Sequence, residues 1–153
     1  MAPSTVLRID RRIREAIYAN SLQEWTLLGG LVEADETMFG GRRVGKRGWG
    51  ATGKGIVFGL YQRDGQVLTF PVSGRSRAEI LPLLLGHTHP GRLYYADDWH
   101  AYTSLSVRGN QVVVSKGKGQ PKGRDHIKGI EGFWSDAKHW LYQYRGVPRT
   151  NAR

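Results

Sequence analysis

Apolar positions along this chain follow two rhythms. Near the start, Ile9, Ile13 and Ile17 recur every four residues with charged side chains between them, which predicts a helix over Leu7–Asn20. From Leu31 the rhythm shortens and turn residues begin to punctuate it. Leu31–Phe39 reads as a strand that ends at Gly40 and Gly41. Ile56–Gln62 and Gln66–Val72 flank Arg63-Asp64-Gly65, a pattern that predicts a hairpin with Asp-Gly at its turn. Arg77–Leu85 predicts a helix despite Pro82, Arg92–Ala96 a strand, Trp99–Leu105 a short helix and Gln111–Val114 a fifth strand. The longest helical stripe comes last: Ile130, Phe133, Ala137, Leu141 and Tyr144 recur at intervals of three or four, after Asp125 as a candidate N-cap. Trp134, Trp140 and Tyr144 are expected to pack. Strands that alternate with helices around one hairpin predict an α/β domain whose sheet mixes parallel and antiparallel strands.

Composition narrows the picture. A chain of 153 residues suits one domain with a real core. It has no cysteine, so disulfides and thiolate-bound zinc are excluded. Lys and Arg number 23 against 13 Asp and Glu, a net charge of +10 that favours polyanions, nucleic acid first among them. No membrane role is expected: the longest apolar run, Ile80–Leu85, is short and broken by Pro82. The opening residues MAPSTVLRIDRR lack the apolar core of a signal peptide.

The positive charge is concentrated in two Gly-containing loops. Arg42, Arg43, Lys46, Arg47 and Lys54 surround Trp49 in the first; Lys116, Lys118, Lys122 and Arg124 lie in the second. Glycine lets backbone approach phosphates, and an indole stacks on an unpaired base, so both loops are candidate DNA contacts. Gly48–Lys54 also fits the spacing of a nucleotide-binding loop. Gly55 stands where that motif needs Ser or Thr, and a strand follows where it needs a helix, so ATP binding is rejected. His87-Thr88-His89-Pro90 has no third ligand nearby and reads as a loop.

Three carboxylates suggest chemistry. Asp35 falls late in the first strand, Asp97 just beyond Leu93–Ala96, and Glu131 on the last helix, where Ser135 and Lys138 continue its face. Strand ends in an α/β sheet can converge on one point, and three hard oxygen donors suit Mg²⁺ or Mn²⁺. A pair of such ions suits phosphodiester chemistry. Lys138 is a candidate phosphate contact. Each Asp has an acidic neighbour, Glu36 or Asp98, and spacing alone does not choose within either pair.

Three ordered blocks, VEADETMFGG at 32–41, YYADDWHAY at 94–102 and HIKGIEGFWSDAKHWL at 126–141, resemble the signatures of bacterial insertion-sequence transposases of the DDE superfamily. GKRGWGATGKGIVFGLY between the first two is similar to that family as well. The resemblance implies an RNase H-like fold with a mixed five-stranded sheet flanked by helices. It marks Asp35, Asp97 and Glu131 as catalytic metal ligands, with two Mg²⁺ (or Mn²⁺) ions expected, and Glu131 stands 34 residues after Asp97 (131 − 97). It implies cleavage at transposon ends and transfer of the freed 3′-hydroxyl into target DNA. Terminal inverted repeats and target DNA would be the partners, with a homodimer or larger assembly on DNA, in the bacterial cytoplasm with the nucleoid. His126 and Lys128 join Lys138 as expected DNA contacts. Lys128 departs from the family pattern, which has Asn there. The expected organisation is an N-terminal helical segment at 1–28, as the tail of a DNA-recognition domain, a catalytic domain at 29–148 and a truncated end at 149–153. A nuclease of the same fold, or a DNA-binding remnant without activity, is the alternative.

Overall fold

A computed structural model describes residues 2–23, 26–40, 54–63, 65–97, 109–114, 123 and 125–143. In chain order its elements are α1 (Pro3–Gln23), β1 (Leu31–Phe39), β2 (Gly55–Gln62), β3 (Val67–Val72), α2 (Arg77–His87), β4 (Arg92–Asp97), β5 (Gly109–Val114) and α3 (Lys128–Tyr142). The five strands form one sheet in the order β3-β2-β1-β4-β5. β1, β2 and β3 are antiparallel neighbours, whereas β4 runs parallel to both β1 and β5. This is the mixed RNase H-like sheet that the sequence predicted. The hairpin between β2 and β3 closes through Gln62 N–H to Gln66 O and Gly65 N–H to Gln62 O, each at 2.9 Å. The predicted helix at Trp99–Leu105 lies outside the described residues.

Strand alternation divides the sheet into two faces. One face joins Val32 and Ala34 of β1, Phe58 and Leu60 of β2, Leu68 and Phe70 of β3, and Tyr94 and Ala96 of β4 to Ile80 and Leu84 of α2 in a buried apolar cluster. Each Val, Leu, Ile or Phe side chain among them contributes about 1.5–3 kcal/mol on leaving water. Thr88, fully buried after α2, bonds the Leu84 carbonyl at 2.8 Å and the Tyr94 hydroxyl at 2.7 Å. His87 ends α2 with its Nδ1 at 2.6 Å from Leu83 O. The His87–Pro90 segment is therefore a helix end followed by an isolated bridge, Leu28 to Thr88, rather than an open loop.

The other face carries α3. Ile130 and Trp134 are buried there with Tyr95, Val114 and Ile127, and Phe133 and Tyr61 pack at the margin. Gly59 makes this docking possible: a Cβ at that position would run into the Trp134 ring and lie 2.9 Å from Ile130 Cδ1. Of the aromatics expected to pack, Trp134 is buried at 4% exposure, Trp140 stands 54% exposed in the last turn, and Tyr144 lies outside the described residues. The core stripe thus turns through Trp134 and leaves Trp140 on the solvent side.

α1 forms as predicted and extends three residues further at its end. Its Ile9, Ile13 and Ile17 are exposed, and i,i+4 ion pairs Arg14–Asp10 and Arg11–Glu15, both 2.7 Å, run along it. Exposed pairs of this kind add only a few tenths of a kcal/mol each. No helix among the described residues is long and apolar enough to cross a membrane.

Candidate active site

The register of β1 decides what the sequence left open. Glu33 and Asp35 share one parity, Ala34 and Glu36 the other. Asp35 pairs across the sheet with Gly59, the residue against which Ile130 and Trp134 pack, so it lies on the α3 face. Glu36 pairs with Phe58 of the α2-side core and is buried at 5% exposure. Its Oε2 faces Arg75 Nη2 at 3.3 Å. Asp35, partly exposed, and not Glu36, therefore belongs to the surface that α3 approaches.

Parallel pairing brings the second carboxylate position alongside. Ala34 pairs with Ala96, so the next step of the same register sets Asp35 beside Asp97. Asp97 closes β4 opposite Val114 of β5. The shared ladder of β1 and β4 ends at Ala34 and Ala96, immediately before the two aspartates, a common place for ligand sites in α/β sheets.

Glu131 is carried by α3, which packs on the same face of the sheet. It follows Ile130, the residue seated on Gly59 next to Asp35, and it is exposed. Ser135 and Lys138, the predicted continuation of its face, are exposed as well. Among the described side chains, which do not include that of Asp97, no three His, Asp or Glu groups form a metal-binding cluster.

The first turn of α3 is held by a group that the sequence reading missed. Asp125 was the expected N-cap, but the cap position is Ile127, whose side chain makes no cap bond, and only a long contact from His126 Nδ1 to the Lys128 N–H is local. Glu33 caps the helix from β1: its Oε2 accepts the Ile130 N–H at 2.9 Å. The carboxylate is fully buried, and Arg63 Nε donates to its Oε1 at 2.7 Å. Arg63, from the β2–β3 hairpin, also donates through Nη2 to the His126 carbonyl and lays its guanidinium 3.9 Å from the centre of the Tyr95 ring. Gly129 lets the helix come this close, because a Cβ there would run into the Tyr61 ring and lie 3.0 Å from Glu33 Oε2. A sequence signal did exist. Glu33 has the parity of Asp35, and a carboxylate inside an apolar strand needs a buried partner.

The expected DNA contacts divide. Lys128 and Lys138 are exposed on α3, and Lys54 is partly exposed just before β2. His126 is partly buried, its Nδ1 accepting the Lys128 N–H at 3.3 Å and lying 3.8 Å from Glu33 Oε1, so part of its surroundings is protein. Arg42, Arg43, Lys46, Arg47, Trp49, Lys116, Lys118, Lys122 and Arg124 lie outside the described residues. The nucleotide-loop match is rejected on structure too, since Gly55 opens β2 rather than a helix.

Comparison with known proteins gives this arrangement a context. Residues 27–151 match the family described as the ISXO2-like transposase domain. The chain is also similar to an uncharacterized transposase-like protein of Haemophilus influenzae, with 26% identity over 87 residues, 56% of this chain and 71% of that protein. No solved structure matches it.

Proposed function

Because the chain belongs to the ISXO2-like transposase domain family, whose business is DNA, we propose that it cuts DNA at the ends of a mobile element and joins those ends to a target. The observation that supports this reading is the β1–β4 register, whose last pair, Ala34–Ala96, directly precedes Asp35 and Asp97, on the sheet against which α3, the helix of Glu131, packs through Ile130 and Trp134.

In this reading Asp35, Asp97 and Glu131 hold one or two Mg²⁺ or Mn²⁺ ions. Their chemistry fits: all three are hard oxygen donors, each from a different element, and α3 is seated against the strand that carries Asp35. When bound, the ions supply charge neutralisation at the scissile phosphate and raise the acidity of the attacking hydroxyl or water. The protein's own contribution is placement. The sheet fixes the two aspartates, and α3 fixes the third carboxylate and offers Lys138 to a neighbouring phosphate. In the first step water oxygen bonds to phosphorus and the P–O3′ bond breaks, which frees a 3′-hydroxyl. In the second that hydroxyl attacks a target phosphodiester, forming one P–O bond and breaking another, so no external energy source is needed. The basic loops at 42–54 and 116–124 bind the DNA backbone, and two copies assemble on the paired ends.

Asp35→Asn tests the site. Mn²⁺-supported cleavage of element-end DNA should fall to background while DNA affinity changes less than threefold. Glu36→Gln, on the opposite face, should keep cleavage. Undiminished cleavage by Asp35→Asn would sink the assignment. Products that are cut but never joined would identify a nuclease, and DNA binding without cutting by the unmutated chain would identify an inactive remnant.

A further inference from the structure

A carboxylate buried under a helix whose neighbouring residue is a proposed metal ligand invites a specific role. Glu33 has zero exposure, and both its oxygens are used: Oε1 takes the Arg63 Nε–H at 2.7 Å, and Oε2 takes the Ile130 N–H at 2.9 Å. Arg63 is 13% exposed, bonds the His126 carbonyl just before α3, and covers Tyr95, which lies two residues before Asp97 on β4. One connected group of atoms therefore touches β1 two residues before Asp35, β4 two residues before Asp97, and α3 at the residue before Glu131.

We propose that Glu33 and Arg63 are positioning residues that latch the first turn of α3 to the sheet, and so fix Glu131 relative to Asp35 and Asp97. The assignment rests on the metal-site reading above for its consequence, but not for the latch itself. Three properties suit the pair to the task. Helix N-termini leave N–H groups unsatisfied; the N-cap residue Ile127 makes no side-chain cap, and His126 Nδ1 takes only the Lys128 N–H, at 3.3 Å. An ionised acceptor at that end gains from the helix dipole. A guanidinium offers a rigid fork, which can hold Glu33 and the His126 carbonyl together in a way an ammonium cannot. Gly129 completes the fit by allowing the helix backbone to descend onto Tyr61 and Glu33.

The experiment uses the full chain with Glu33→Gln and Arg63→Lys, and Asp35→Asn as the reference for the site. Amide exchange is followed in metal-free protein at Ile130 and Glu131, with Leu60 in β2 reporting global opening. Mn²⁺ affinity and cleavage are measured on the same samples. The latch predicts at least tenfold faster exchange at Ile130 in Glu33→Gln with Leu60 unchanged. It also predicts Mn²⁺ affinity weakened about 10- to 100-fold, as for other groups that orient metal ligands. Excess Mn²⁺ should restore part of the cleavage in Glu33→Gln and none in Asp35→Asn. Arg63→Lys, which keeps the charge and loses the fork, should shift both readouts in the same direction by a smaller factor. It serves as the test should Glu33→Gln fail to fold. Unchanged exchange at Ile130 in a folded variant overturns the latch. Faster exchange with unchanged Mn²⁺ affinity, where Asp35→Asn abolishes binding, overturns the positioning of Glu131. Mn²⁺ binding that survives Asp35→Asn fails the site reading instead, and the latch is then judged on the Ile130 amide alone.

Discussion

Glu33 and Glu36 lie three residues apart on β1, both buried and both facing an arginine, yet the two faces of the sheet use them differently. On the α3 side, each oxygen of Glu33 has a short partner, and those partners belong to two other elements. On the α2 side, Glu36 meets Arg75 at 3.3 Å, and its Oε1 has no hydrogen-bond partner among the described residues. The surroundings differ in the same sense. The α2 face is a nearly continuous apolar layer, whereas the α3 face mixes Ile130 and Trp134 with a charged network. A buried ion pair repays the loss of hydration only when its remaining hydrogen-bonding capacity is used. By that measure Glu33 is wired into the α3 face and Glu36 is tolerated on the α2 face.

The largest expected effect comes from breaking the better-integrated pair. Glu33→Ala should cost about 3–5 kcal/mol, since it leaves the Arg63 charge and the Ile130 N–H without their acceptor. Urea unfolding measures this, and a loss below about 1 kcal/mol would erase the difference between the faces. Next in size is the close approach on the α3 side. Gly129→Ala should cost about 1–3 kcal/mol by driving Cβ into Tyr61. Gly132→Ala, one turn on with nothing within 4 Å, should stabilise by about 0.5–1 kcal/mol. Equal effects at the two glycines would mean that α3 does not sit down on Tyr61. The smallest change is expected on the other face. Glu36→Met combined with Arg75→Leu should leave stability within about 1 kcal/mol of the starting protein, or raise it, because an apolar pair of similar volume avoids the desolvation cost. A loss of several kcal/mol would show that the α2-side pair is as integrated as the α3-side one.

Much of this architecture is legible in the residues. The switch from fourfold spacing to alternation locates β1, the hairpin and α3, and Asp-Gly marks the turn between β2 and β3 within a residue or two. The choice of Asp35 over Glu36 is also latent in alternation, since Glu36 shares the parity of Val32 and Ala34, which the core claims. What the sequence does not reveal are relations between distant segments. Asp125 looks like a helix cap because caps are usually local, but the group that serves α3 sits 97 residues before the amide it binds. Trp134 and Trp140 look equivalent as aromatic helix positions. Only the docking of α3 on Gly59 separates the buried ring from the exposed one. His126 similarly looks like a free imidazole beside an acidic motif until its neighbour Glu33 is seen.

The non-local cap of α3 bears on the order in which this protein comes into being. A short helix whose buried first-turn acceptor lies elsewhere in the chain is marginal in water, so a peptide covering 125–143 should show little helix by circular dichroism. As the chain leaves the ribosome, β1 emerges well before α3, and its carboxylates wait for that helix. The long loop that must close before Glu33 meets Ile130 makes this contact a late event in folding. Nascent or partly folded chains would therefore carry Asp35 and Asp97 without Glu131 in place. If these three form the proposed site, its assembly becomes a proofreading step, and only a chain that has finished folding would be equipped for the proposed chemistry.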